Sequence, residues 1–198
     1  GNVWRGIFNL AFIPVYIKLM GVEVYGLLGV FMSLSALFIL LDMGLSTTLS
    51  RELSRLSVIE NSEQESRNLV RTFEVVYWLI GIVIGASVII LAPLIAKYWI
   101  NSANISTEII EQTLLIMGML LAFQWPRAIY IGGLEGLQRQ VLYNVIKTLS
   151  MLARHIGAVL ILTFISPSIL YFFYWQSVVA LITTIVLAVY LWRSLPKS

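Results

Sequence analysis

The sequence predicts an all-α fold, a polytopic transmembrane bundle of six helices, and three observations carry that reading. The 198 residues are 59% hydrophobic and only 12% charged, whereas soluble domains carry about 25% charged residues. Mean hydropathy is +0.90, so the chain lacks the polar surface needed to cover itself in water. Six apolar segments, near 3–20, 26–49, 73–96, 111–133, 141–165 and 168–191, each approach the roughly 20 residues that cross a bilayer as a helix.

The connections agree with that count. Arg51, Arg55, Arg67 and Arg71 fall between the second and third segments, Arg139 between the fourth and fifth, and Arg193 and Lys197 in the tail. The opposite connections hold only Lys18, Lys97 and the uncharged Ser166–Pro167–Ser168 turn. The positive-inside rule then puts both termini in the cytoplasm. Aromatic residues near the segment ends, among them Trp4, Tyr16, Tyr25, Tyr77, Trp78, Tyr98, Trp99, Tyr171, Trp175 and Trp192, read as interfacial belts. The polar stretch 50–72 reads as a solvated cytoplasmic connector. The chain begins at Gly1 with a short first segment, which points to a natural N-terminus further upstream.

Several classes of chemistry are excluded. With no cysteine and one histidine, His155, disulfides, thiol chemistry and histidine clusters for zinc are out. No HExxH, GxSxG or phosphate-binding loop occurs, and no spanning segment pairs two carboxylates. A membrane glycosyltransferase or phosphatase would need such clusters; no cofactor and no nucleic acid is implied. His155 reads as a packing residue, and Gly81 with Gly85 as a site of close helix contact.

The informative residues are charges inside the apolar segments, where each costs on the order of 3 kcal/mol at mid-bilayer. Arg5 and Asn9 are four apart in the first segment. Asp42 aligns with Ser35, Ser46 and Ser50 on one face of the second. Gln124 and Arg127 flank Pro126, which is expected to kink the fourth. Asn144, Lys147 and Arg154 share a face of the fifth. Glu74 and Lys147 lie near enough to segment ends to snorkel. Two readings stand side by side: structural ion pairs, Asp42 with an arginine, or polar stripes converging on a wet cationic cavity that takes an anion. Arginine suits phosphate because its planar fork donates two parallel hydrogen bonds.

The runs PVYIKLMGVEVYGLLGVF (14–31), LLDMGLSTTLSREL (40–53), LVRTFEVVYW (69–78) and GGLEGLQRQV (132–141) resemble the polysaccharide-biosynthesis flippases. These are the O-antigen, oligosaccharide-lipid members of the multidrug/oligosaccharidyl-lipid/polysaccharide exporter superfamily. The resemblance implies one lobe of a two-lobe transporter, with the second lobe missing from this chain. It implies a non-enzymatic flippase in the bacterial inner membrane that moves a polyprenyl-pyrophosphate-linked oligosaccharide by alternating access, for lipopolysaccharide or related surface polymers. Membrane lipids and polysaccharide polymerase machinery are the implied partners. Arg5, Asn9, Gln124, Arg127, Lys147 and Arg154 would bind substrate; Asp42 and Ser46 would carry a coupling ion or a structural ion pair. A drug/cation antiporter of the same superfamily, which would favour acidic cavities, and a non-catalytic membrane subunit are the alternatives.

Overall fold

In a computed structural model the chain is mostly helical over its described residues, which are 2–42, 44–100 and 105–196; the side chains of 2–10, 23–24 and 37–41 are not among them. The helices are α1 (Asn2–Met20), α2 (Val22–Leu41), α3 (Leu45–Leu56), α4 (Glu63–Tyr98), α5 (Thr107–Gln124), α6 (Arg127–Gly136), α7 (Gln140–Phe164) and α8 (Ile169–Ser194). Among the described residues eight helices therefore stand where six were expected, or seven when α5 and α6 count as one interrupted span. Two of the expected segments are broken.

The first break comes from Gly44, whose φ of 81° is left-handed, a conformation that costs an L side chain about 1–2 kcal/mol. It ends the α2 run and starts α3, an amphipathic helix that buries Leu49, Leu53 and Leu56. A Cβ on Gly44 would meet nothing within 4 Å. Its role is backbone geometry. The second break is at Trp125–Pro126, because proline has no N–H to continue the ladder. The Phe123 carbonyl beside it accepts a hydrogen bond from Thr184 Oγ1 at 2.8 Å.

Among the described residues, four runs are long and apolar enough to cross a membrane: 63–98, 107–136, 140–164 and 169–194. Their outer faces are apolar, with Leu79, Ile82, Val83, Leu149, Leu160 and Ile182 exposed, a surface suited to lipid rather than water. The 36 residues of α4 rise about 54 Å, more than the roughly 30 Å hydrocarbon layer. Its polar first turns extend beyond that layer, so most of 50–72 is helix; only the turn at 57–62 is not. Ser62 closes this turn by donating to the carbonyls of Leu56 (2.6 Å) and Ile59 (2.8 Å).

Small residues set the helix register. Gly85 faces Gly118 and Ala122, and Gly81 faces the Ala122 carbonyl, so α4 and α5 run antiparallel in close contact, as the GxxxG spacing predicted. Gly132 and Gly136 face Ser46 and Ser50, so α6 lies parallel to α3, while Gly133 receives Leu191 of α8. Gly157 lies against the Trp175 indole, which donates to the Ala153 carbonyl at 2.9 Å; α7 and α8 are thereby antiparallel. The ends of α3, α6 and α8 gather at one end of the bundle, together with Arg51, Arg55, Arg67, Arg71, Arg139 and Arg193.

Apolar packing forms two main clusters. One joins Tyr16, Leu28, Leu114, Met117, Phe172 and Phe173; the other, at the arginine-rich end, joins Leu53, Tyr77, Ile129, Leu134, Tyr143 and Leu191. Tyr16 and Tyr77, expected in interfacial belts, are core residues instead, 5% and 0% exposed. Tyr98, Trp99 and Tyr171 are exposed as belts require.

Candidate functional site

The two helix breaks border a common space. A first cavity of about 310 Å³ is lined by Ser35, Asp42, Ser46, Gln124, Trp125 and Arg127, with apolar Ile84, Leu121, Ala128 and Ile131. A second, of about 320 Å³, shares Arg127 and Ile131 with it and adds Tyr143, Lys147, Ser150, Arg154, His155 and Thr183. A third, of about 520 Å³, shares Arg154 and His155 with the second and is otherwise mostly aromatic and aliphatic, lined by Tyr16, Tyr25, Phe31, Phe172 and Phe173 among others. The three form a chain of adjoining chambers: acidic and hydroxylic at one end, cationic in the middle, apolar at the other.

Asp42 sits at the Gly44 break. It accepts hydrogen bonds from Tyr77 Oη and from Ser46 Oγ at 2.8 Å, which tie α2 to α4 and to the start of α3. Among the described residues the only ion pairs are those of Arg55 with Glu52 (2.9 Å) and Glu65 (4.0 Å). Among the described side chains Asp42 is thus held by hydroxyls and by no arginine.

Arg127 is the first residue of α6. The helix dipole favours an anion at this end, and Arg127 makes no hydrogen bond or ion pair among the described residues. Lys147 donates to Tyr143 Oη at 2.5 Å and lies 4.9 Å from the centre of that ring. Arg154, two turns further along α7, has Nε and Nη2 buried without a hydrogen-bond partner, while its carbonyl accepts from Gln176 at 3.3 Å. Tyr16 Oη lies 2.9 Å from His155 Nδ1, and Phe12 stacks on the imidazole at 4.7 Å; His155 thus joins α7 to α1.

Among the described residues, the buried side-chain polar atoms without a partner are Ser35 Oγ, Gln124 Oε1, Trp125 Nε1 and the two Arg154 nitrogens. All of them line the chambers. An unsatisfied buried polar group costs about 1–3 kcal/mol, so these atoms mark where a polar guest gains most by entering. The second chamber carries three cations and no carboxylate, which favours a guest with more than one negative charge.

Of the expected site residues, Asp42, Ser46, Gln124, Arg127, Lys147 and Arg154 come together on the first two chambers. The side chains of Arg5 and Asn9 lie outside the described residues. Asn144 does not line a chamber; it is exposed. Three site residues escaped the sequence reading. Tyr77 was assigned to a belt, Trp125 was not singled out, and Gln176 lies on α8, for which no polar stripe was drawn; the run Gln176–Ser177, with Thr183–Thr184 two turns later, was the available signal.

No curated protein and no solved structure matches the chain. A family model does, over residues 1–197, and it is described as polysaccharide biosynthesis protein. With the helical bundle, the spanning segments and the buried cationic chamber already in hand, that match establishes that the chain belongs to the polysaccharide biosynthesis protein family.

Proposed function

We propose that this chain is the N-terminal lobe of a flippase that carries a polyprenyl-pyrophosphate-linked oligosaccharide across the bacterial inner membrane. The supporting observation is Arg154, a guanidinium with two buried unpartnered nitrogens, sharing a chamber with Arg127 and Lys147. The pyrophosphate is held there by Arg127 and Arg154, whose forks match phosphate oxygens. Lys147 adds a point charge, and the N-terminus of α6 adds its dipole. Gln124 adds to the polar lining of the adjoining chamber, and Arg5 and Asn9 are assigned to the substrate by the sequence alone. The arginine-rich end of the bundle faces the cytoplasm, so both ends of the chain do too. A second lobe closes the cavity, and rocking of one lobe against the other exposes the site to either leaflet. The work is transport, with no bond made or broken. Asp42, held by two hydroxyls rather than a cation, is free to take the proton or sodium ion that couples transport to a gradient.

Complementation of a flippase-null strain by the intact gene tests the reading. Arg127→Ala and Arg154→Ala are expected to abolish surface polysaccharide at normal protein levels, and Arg154→Lys to restore part of it. Full surface polysaccharide in both alanine variants removes these residues from the mechanism.

A further inference from the structure

A separate cleft of about 630 Å³ lies at the arginine-rich end, between α4 and α8, lined by Arg67, Arg71, Glu74, Val75, Trp78 and Trp192. Arg67, Arg71, Glu74 and Trp78 follow one another at i, i+4, i+7 and i+11, so they share one face of α4. The level of the cleft is set by the sequence. Arg67 and Arg71 stand on the polar first turns of α4, and Trp78 enters the apolar run that begins near residue 73. Trp192 closes the apolar run of α8, next to Arg193. Arginines outside and indoles just inside is the order of residues at the depth of lipid headgroups.

The charges in the cleft are open. Arg71 is exposed and makes no hydrogen bond or ion pair among the described residues. Glu74 forms no ion pair with Arg67 or Arg71, although three residues separate it from Arg71. Its Oε1 instead accepts from Tyr130 Oη at 2.6 Å and from Trp192 Nε1 at 3.4 Å. Tyr130 Oη in turn accepts from Trp78 Nε1 at 3.1 Å. This network fixes the carboxylate and both indoles, and leaves Oε2 without a partner among the described residues. Arg67 lies 5.5 Å from the centre of the Trp192 ring and reaches the Pro196 carbonyl at 3.4 Å, so it is fixed as well.

We propose that this cleft binds the headgroup of a zwitterionic phospholipid with a primary amine, phosphatidylethanolamine in chemical class. Arg71, with Arg67 behind it, takes the phosphate. Glu74 Oε2 accepts from the ammonium, about 4.5 Å further along the helix axis, a separation suited to the two carbons and one oxygen between phosphate and amine. A headgroup without an ammonium, such as that of phosphatidylglycerol, offers Glu74 Oε2 only a neutral hydroxyl, a weaker donor than a charged amine. A trimethylated amine has no N–H for Oε2, and the Trp192 face that would cage it is occupied by Arg67. The inference is independent of the transport reading, since it shares no residue with the chambers.

The test titrates the detergent-solubilised chain with phosphatidylethanolamine, phosphatidylcholine and phosphatidylglycerol of identical acyl chains, and with free phosphoethanolamine, reading binding by native mass spectrometry. Phosphatidylethanolamine is expected to bind about tenfold more tightly than either other lipid, the scale of one charge-assisted hydrogen bond. Glu74→Gln should bring the three lipids level, and Arg71→Ala, at an exposed unpaired residue, should weaken all of them. Binding of free phosphoethanolamine as tight as that of the lipid would make the ligand a soluble phosphate and overturn the lipid assignment. Equal binding of the three lipids by the unsubstituted chain, or a preference that survives Glu74→Gln, would overturn the site.

Discussion

Gly136→Ala probes the α3–α6 contact that the Gly44 break makes possible. The added Cβ would stand 2.5 Å from the Ser50 carbonyl oxygen and 3.0 Å from Ser50 Cα, about 0.9 Å inside the onset of ordinary contact at 3.4 Å. Both obstacles are backbone, so no side chain can swing away; α3 itself must move. Overpacking of this kind costs about 1–3 kcal/mol. Moving α3 also stretches the 2.8 Å bond from Ser54 Oγ to the Gly136 carbonyl, worth about 1 kcal/mol. Against this, alanine gains at most about 1 kcal/mol over glycine in a helix. The net loss is about 1–3 kcal/mol, or a Tm lower by about 2–10 °C for a chain of this size. Gly29→Ala is the matched control: it lies within α2, where a Cβ meets nothing within 4 Å, so only the propensity gain remains and Tm holds or rises. Both are read by thermal unfolding of the purified chain in one detergent, followed by tryptophan fluorescence. Gly136→Ala melting at or above the unsubstituted chain, with Gly29→Ala below it, refutes the reasoning.

Three further substitutions address the break points. Tyr77→Phe removes the donor from the Asp42 carboxylate and is expected to cost about 1.5–3 kcal/mol, seen as a lower Tm in the same assay, while Ser46→Ala, which leaves Tyr77 in place, costs less. Thr184→Val leaves the Phe123 carbonyl beside Pro126 without its 2.8 Å partner and is expected to lower stability by about 1–3 kcal/mol, with protease nicking between α5 and α6 as the second readout.

What the sequence made legible follows from what local patterns encode. Apolar runs located the four long apolar helices because length and hydropathy are properties of contiguous residues, and Gly81 with Gly85 announced close packing because their spacing matches one helix face. Features that depend on distant partners were misread. Glu74 looked able to snorkel, but it is held by Tyr130 and Trp192, which are 56 and 118 residues away. Tyr77 looked interfacial because it lies near a segment end, yet its hydroxyl reaches Asp42, 35 residues earlier. The run GGLEG was noted for its glycines and its family resemblance, but its glycines face two different helices, α3 and α8, and no pattern within five residues identifies those partners.

The misread break at Gly44 is also what explains the site. Had α2 continued straight through residue 49, Asp42 would be one more position on a spanning helix, and α3 would have no separate contact with α6. The left-handed Gly44 ends the first helix at the carboxylate, and Pro126 ends another at Gln124, leaving Arg127 to begin α6. Gly132 and Gly136 then hold α6 along α3, which brings the two interruptions to the walls of one cavity. Interrupted backbone at membrane depth is tolerated where it lines a cavity rather than lipid, and the first chamber is such a cavity. The glycines and the proline therefore determine where the charges act: they place Asp42 and Arg127 across one chamber, without an ion pair between them, and leave both open to a guest.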